Sequence, residues 1–437
     1  MTTILAFLFV LGVLVFVHEL GHFLVARFHG VRVHTFSLGF GPRLFSFRRG
    51  DTEYCISVIP LGGYVKLAGE NALEEGAGGS TDPLASDQFM AKSKWVRFQV
   101  YVAGPVMNIL LAIVVGAVVL SRGADVPIYR TGPPVIGSVE EGKPAAAAGL
   151  RAGDLVVSVD GVPMSTWDEF EMAVVPKAGR ELALIANRQG ERVSVRVTPV
   201  ATGSYEMGDL GIGPVLRPQI TQVNPGSPAE QAGLERGDVL LAVNGARNLT
   251  QDEIVERLRA SADTPLTLTV ERAGASRDTT VVPRGPQGAA MIGVGISGYE
   301  VRRIDPSVVE AMKLSVRQNW ETTRLIGKTL GGLLTRETPV RQLMGPVGIA
   351  QLSGSAAEMG WVALLNLMAM ISLNLGLLNL MPVPVLDGGH IAILAVEGLA
   401  RRDLSIRMKE RILVAGATVM VLLMVTVIYN DIARLMR

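Results

Sequence analysis

The chain has 437 residues, of which 49% are hydrophobic and 19% charged, with a formal net charge of +1. A mean hydropathy of +0.35 is too apolar for one soluble globule, whose charged share is about 25%, or for a disordered chain, and near-zero net charge argues against nucleic acid as a partner. One cysteine, Cys55, excludes an internal disulfide and a cysteine-built zinc site, so a metal centre has to use the five histidines (His18, His22, His29, His34 and His390) and carboxylates.

A membrane-crossing helix needs about 20 apolar residues. The first candidate covers residues 1–27: Thr2 to Val17 is uncharged, and the run continues through a polar pentad to Ala26. It lacks the basic start and small-residue cleavage site of a signal peptide, so it reads as a retained span. The pentad His18-Glu19-Leu20-Gly21-His22 is H-E-x-x-H. On a helix, positions i and i+4 share a face. Two imidazoles can then grip one zinc ion, with the intervening glutamate placed as general base. Composition alone gives about 0.003 chance matches in such a chain. Ionisable residues in an apolar helix are expensive and mark function.

Residues 28–97 form the next segment. Val31, Val33, Phe36, Leu38 and Phe40 alternate, as do Tyr54, Ile56 and Val58, with glycine turns between them. This predicts a small antiparallel sheet. Residues 71–87, rich in Gly, Glu, Ala and Ser, read as a linker. A second span covers 98–121, uncharged between Arg97 and Arg122.

An internal repeat follows. Gly149-Leu150-Arg151-Ala152-Gly153-Asp154 through Asp160-Gly161 recurs as Gly233-Leu234-Glu235-Arg236-Gly237-Asp238 through Asn244-Gly245. Each copy has an alanine-rich helix start before it, and a helix-like stretch and an alternating strand after it. The order of elements resembles a pair of PDZ domains, over 127–202 and 208–285. Such domains capture peptides by strand addition; a pair of purely steric modules is the alternative. Leu210-Gly211-Ile212, before the second copy, is a candidate carboxylate-binding loop. In the external segment 303–358, residues Pro306 to Leu334 carry Val308, Val309, Met312, Val316, Trp320 and Leu333 with Lys313, Arg317, Arg324 and Lys328 between them. This predicts an amphipathic external helix on the membrane or one packed under the repeat pair. Gly345-Pro346-Val347-Gly348 then leads toward the third span.

A third span covers 359–381, a loop 382–411, and a fourth span 412–430. Arginine and lysine concentrate in 27–97 and 401–411, which places both segments on the cytoplasmic side and the repeat pair outside. A hydrolytic zinc has three protein ligands, so one is missing from the pentad. Cys55, His390 and Asp387 are candidates. Asp387 is favoured: it stands in Asn379-Leu380-Met381-Pro382-Val383-Pro384-Val385-Leu386-Asp387-Gly388-Gly389-His390. Two prolines break the span there, and broken backbone at membrane depth is tolerated only inside protein or beside a water-filled cavity.

These motifs together resemble the site-2 protease family of intramembrane zinc metalloproteases, over nearly the whole chain. The carriers are H-E-x-x-H, Ala103-Gly104-Pro105-Val106-Met107-Asn108 in span two, the PDZ-like pair, and N-x-x-P-x-P-x-L-D-G-G. The resemblance implies zinc on His18, His22 and Asp387, with Glu19 as base. It implies that Asn379, Pro382, Pro384 and Asn108 lie near the substrate. It turns the 31–67 sheet into a membrane-re-entrant loop whose edge pairs with an unwound substrate. The implied fold is a polytopic α-helical membrane protein with four transmembrane helices, a re-entrant β-sheet and two external α/β PDZ domains. The implied setting is a bacterial inner membrane. The implied substrates are single-pass anti-sigma factors already cut by an upstream site-1-type protease, and remnant signal peptides. A PDZ scaffold with a relic zinc site would not need Glu19. A zinc transporter would need more than two histidines in its spans.

Overall fold

The computed structural model describes residues 2–70, 85–203, 206–335 and 344–435. The expected linker therefore lies mostly outside the described residues. The chain forms two compact units: Met1–Arg122 with Asp305–Leu334 and Leu343–Arg437, and Gly123–Ile304 with Thr335–Gln342.

The first unit is mainly helical. In lipid every backbone polar group has to find its partner within the segment, which makes uninterrupted apolar runs helical. Among the described residues four helices are long and apolar enough to cross a membrane: Thr2–Phe28, Lys94–Ser121, Trp361–Asn379 and Arg407–Ala433. The first two are α1 (Thr2–Phe28) and α2 (Lys94–Ser121). Between them β1 (Val33–Arg49) pairs with β2 (Thr52–Leu67). The first half of β1 is paired twice, Phe36 with both Tyr54 and Val65, because both strands bend back on themselves. The far end of this hairpin leaves Leu44, Phe45, Phe47 and Ile59 exposed.

Ala6, Val10 and Leu14 of α1 form one core with Ala356, Leu364, Leu367 and Met368. α1 crosses α2 at Gly21, where a Cβ would stand 2.5 Å from the Ala103 carbonyl oxygen. Small residues let membrane helices approach this closely.

In the second unit each repeat has its own core. The first is built from β3 (Ile136–Val139), β4 (Leu155–Val159), helix α3 (Trp167–Val174), β5 (Leu182–Arg188), β6 (Glu191–Val197) and β7 (Ile212–Pro214). The second repeats the order as β8 (Gln219–Val223), β9 (Val239–Val243), α4 (Gln251–Ala260), β10 (Leu266–Arg272), β11 (Ala275–Val281) and β12 (Val294–Ser297). Thr166 and Thr250 cap the two helices through the amides of Glu169 and Glu253. Strands run in the order β11-β10-β9-β8-β12 in the second repeat.

Here the structure moves a boundary. β7 pairs with β3, Ile212 against Val139, and Leu210 is buried in the first core. The first repeat thus ends after Pro214, and the Leu210-Gly211-Ile212 loop belongs to it rather than to the second copy. Likewise β12 returns beside β8, so the second repeat runs past residue 285. The closing strand of each repeat is short and pairs with a distant partner, which local alternation does not reveal.

The repeats share a network that the motif comparison passed over. Arg188 holds Asp154 at 2.7 Å and also donates to the Gly149 carbonyl. Arg272 does the same for Asp238 and Gly233. Both aspartates are buried. The Arg188 guanidinium beside Asp154 keeps that carboxyl below its ordinary range.

The 303–358 segment holds its amphipathic helix where the apolar pattern of 306–334 lies, with a short strand before it and a second helix after it. Val301–Ile304 pairs with Ala124–Pro127, and helix α5 spans Val308–Leu334. α5 packs along α2: Ser315 is fully buried and its hydroxyl donates to the Ile113 carbonyl at 2.7 Å. Gly116 provides the space, since a Cβ there would stand 2.6 Å from Ser315 Oγ. The contact face of α5 is small and polar, so its apolar stripe (Val308, Val309, Val316, Trp320) stays exposed. A further helix, α6 (Pro346–Met359), packs on α1. Then come α7 (Trp361–Asn379), α8 (Asp387–Leu399) and α9 (Ile406–Leu435). Asp431 of α9 accepts from the amides of Gly345 (3.2 Å) and Gly348 (3.1 Å), which caps the start of α6.

Candidate metal centre

One helical turn separates His18 from His22 on α1, so both imidazoles project toward α2 and α8. His18 Nε2 lies 3.3 Å from His22 Nε2. His18 Nε2 is 3.2 Å from Asp387 Oδ2, and His22 Nε2 is 3.5 Å from Asp387 Oδ1. Among the described residues this is the group of three donors that converges, all within 4.8 Å of one another.

The spacing fits a metal ion. Tetrahedral zinc with donors about 2.0–2.1 Å away sets those donors about 3.3 Å apart. The tautomers fit as well. His22 Nδ1 donates to the Val100 carbonyl at 2.7 Å, which leaves Nε2 with its lone pair. His18 Nδ1 lies 3.3 Å from the Asn108 amide nitrogen, while the buried Asn108 Oδ1 has no partner. Turning that amide over gives the orphaned oxygen the His18 Nδ1–H as donor, and frees His18 Nε2 for the metal.

Space for the rings comes from Gly104 of α2. A Cβ there would overlap His22 Nε2 and stand 2.9 Å from His18 Cε1. Asp387 arrives from the other side. The chain between α7 and α8 turns through Met381-Pro382-Val383-Pro384-Val385-Leu386, and Val385 has a φ of 86°. A β-branched residue there is strained, and such strain collects at functional sites. Gly388 and Gly389 let this loop fold back over the first turn of α8, since a Cβ on either would overlap the carbonyl oxygens of Met381 or Val383. Gly416 of α9 admits Pro384, whose Cγ would stand 2.8 Å from an added Cβ. The prolines and glycines therefore deliver a carboxylate to the histidines at the first position of a helix.

Glu19 is not one of the converging donors. It is almost fully buried and touches β2 at Gly63, where a Cβ would stand 3.0 Å from Glu19 Cγ. A carboxylate beside a paired-histidine site and next to a strand is placed to move a proton at a bond held against that strand.

The pattern of peptidase family M50 matches residues 6–423. The chain belongs to peptidase family M50. A Neisseria meningitidis protein described as a zinc metalloprotease is 36% identical over 463 residues, covering all of both chains. The regulator of sigma-E protease RseP of Escherichia coli is 35% identical, covering 98% of each chain. Protease RseP of Yersinia pestis is 34% identical, also over 98% of each. A solved PDZ domain from Listeria monocytogenes aligns with 21% of the chain at 24% identity and a TM-score of 0.18, too low to carry weight. This M50 peptidase is a zinc-dependent intramembrane metalloprotease of the site-2 type.

The other residues singled out by sequence fall as follows. Asn379 ends α7 with its amide nitrogen 3.5 Å from His18 Nε2, at the edge of the donor group. Pro382 and Pro384 lie in the loop before Asp387. Asn108 is fully buried with its side-chain amide against the His18 imidazole. It orients His18. His390 stacks on Tyr101 with ring centroids 4.8 Å apart, and Cys55 is buried with its thiol against the Phe36 carbonyl; neither joins the three donors. The Val100 carbonyl could not have been found from sequence, because any residue supplies one. Gly21 and Gly63 carried a faint signal as glycines in otherwise bulky runs.

Gly104→Ala should empty the site without unfolding the protein. The added methyl occupies the volume of the two imidazole edges, and α2 cannot retreat where Gly21 meets Ala103. Zinc per chain in purified protein should fall below about a tenth of the wild-type value, in line with the loss expected when ligand supports are displaced. Full zinc occupancy would show that the rings do not need that space.

Proposed function

We propose that this enzyme performs regulated intramembrane proteolysis in a bacterial inner membrane, with His18, His22 and Asp387 holding zinc and Glu19 as general base. The observation that carries this reading is the convergence of His18, His22 and Asp387 beside a buried Glu19 that touches β2. Bound there, zinc supplies Lewis-acid chemistry: it acidifies a water molecule and polarises a carbonyl.

The chain does the rest. Glu19 takes a proton from the attacking water and delivers it to the leaving amine nitrogen. Burial in apolar surroundings keeps other water away and strengthens each electrostatic contact. A helical substrate has no free backbone groups, so it has to unwind and pair. The edge of the β1–β2 hairpin offers that pairing by strand addition, with Glu19 against Gly63 at the line of attack. The exposed apolar tip at Leu44, Phe45 and Phe47 supports insertion of the hairpin into lipid, because such a surface is costly in water. The amide of Asn379 and the loop at Pro382 and Pro384 sit where the unwound segment would lie.

The substrates are single-pass membrane proteins of the anti-sigma-factor class, shortened first by another protease, and remnant signal peptides. The relatives named regulator of sigma-E protease support the first class. The active site faces the cytoplasmic side, from the arginine and lysine in the loops, and the paired PDZ-like repeats lie in the periplasm and limit access. Excising residues 128–300 tests the last point. The paired strands Ala124–Pro127 and Val301–Ile304 leave the cut ends adjacent, so a two-glycine link can close the chain. The shortened enzyme should cut a minimal membrane-spanning reporter within about threefold of the wild-type rate. It should also cut substrates with intact periplasmic domains that the full chain spares. Loss of reporter cleavage would assign the repeats a role other than limiting access.

A further inference from the structure

The helix carrying Asp387 is held at its far end by a charge cluster around one buried carboxylate that the chemistry does not use. Glu397 lies ten residues after Asp387 on α8, about 15 Å along the axis, and is fully buried. Its Oε1 accepts from Lys409 Nζ at 2.7 Å and from the Leu404 amide at 2.9 Å. Its backbone carbonyl accepts from Lys94 Nζ at 3.1 Å. Lys94 also pairs with Asp403 Oδ1 at 2.8 Å. The other carboxylate oxygen, Oε2, is buried without a hydrogen-bond partner.

These contacts join three helices. Lys94 is the first residue of α2, the helix that supplies the Val100 carbonyl to His22, the Gly104 space and the Asn108 amide to His18. Lys409 is in the first turn of α9. Glu397 is in the last turn of α8, where a lysine on a terminal carbonyl is favourable. On its other side Asp387 follows a proline-broken loop with a strained Val385, which transmits no helical rigidity. Asp387 is therefore placed from two sides, by the loop folded back on the first turn of α8 and, from behind, through the body of α8.

We propose that Glu397 is a positioning residue for Asp387: with Lys94 and Lys409 it fixes α8 against the helix that orients the histidines, and so sets the affinity of the site for zinc. This rests on the assignment of Asp387 as a ligand. Metal sites tolerate donor displacements of only about 0.2 Å, so a small slip of α8 suffices. A merely structural salt bridge would alter the stability of the fold and leave the zinc affinity of folded protein alone.

The test measures zinc affinity by competition with a chelator in the purified full chain. The variants are wild type, Glu397→Gln, Lys409→Met and Asp387→Asn, with the thermal midpoint of the metal-free form recorded for each. Lys409→Met breaks the same contact but leaves the buried Glu397 carboxylate without its counter-charge, so the thermal midpoint separates lost folding from lost positioning. Glu397→Gln and Lys409→Met should each weaken zinc about tenfold, the low end of the loss seen when a group bonded directly to a ligand is removed, because Glu397 acts through α8 and not on the ligand itself. Cleavage should return toward wild type at saturating zinc. Unchanged zinc affinity in both variants, with Asp387→Asn weakened, would overturn the proposal and leave the ligand assignment standing. Unchanged affinity in Asp387→Asn would overturn both.

Discussion

Glu19→Gln should retain a full complement of zinc and lose hydrolysis. Glutamine has the same shape as glutamate and keeps one acceptor oxygen, so the packing against Gly63 is preserved. Glu19 is not among the three converging donors, so the metal has no reason to leave. The amide has no basic oxygen to take a proton from water. A positioned base contributes about 10²–10⁴ in rate, which corresponds to about 3–5 kcal/mol of barrier. The substitution should not destabilise the fold, because a neutral amide is less costly to bury than a carboxylate. The check is single-turnover cleavage of a membrane-spanning reporter alongside zinc per chain on the same preparation. Undiminished cleavage with zinc in place would remove Glu19 from the chemistry.

Asp387→Asn should fail in the opposite way, by losing the metal. The carboxylate brings the negative charge that offsets the ion, and both of its oxygens face the histidines, at 3.2 and 3.5 Å. An asparagine offers one neutral oxygen and an amide group that repels a cation. Zinc occupancy in protein purified without added metal should fall to a small fraction, and cleavage should fall with it. Added zinc should recover part of the activity, because His18 and His22 remain. Recovery by zinc is what separates this variant from Glu19→Gln, which no concentration of metal should restore. Unchanged zinc stoichiometry would take Asp387 out of the ligand set.

The histidine pair of the site could be read from the sequence because its spacing is short. His18 and His22 are one turn apart, so helical geometry alone brings their rings together. Asp387 was legible from its context, since two prolines and two glycines around an acid at the end of an apolar run make little sense except beside a buried site. What escaped was carried by backbone or by distance. The Val100 carbonyl that fixes the His22 tautomer has no side-chain signature. Asn108 was expected beside the active site, but its partner there, the His18 imidazole, follows only from packing. The closing strands of the two repeats were missed because each is short and pairs with a strand laid down far earlier in the chain, as with Ile212 on Val139 and Val294 on Val223. α5 gave an amphipathic pattern, yet Ser315 rather than the apolar stripe makes the contact with α2. A pattern of hydrophobicity reports which face avoids water, and in a membrane protein lipid answers that demand as well as protein does.

The central claim is that two imidazoles and one carboxylate hold zinc beside Glu19. X-ray absorption at the zinc edge of the purified Glu19→Gln enzyme tests it most directly, because that variant should keep its metal without turning over. Zinc held by His18, His22 and Asp387 should show only nitrogen and oxygen neighbours about 2.0–2.1 Å away, with two imidazole ring signatures, and the spectrum should be lost in Asp387→Asn. A sulfur neighbour at about 2.3 Å, which only Cys55 or a methionine could supply, or a shell of oxygens without imidazole, would contradict it.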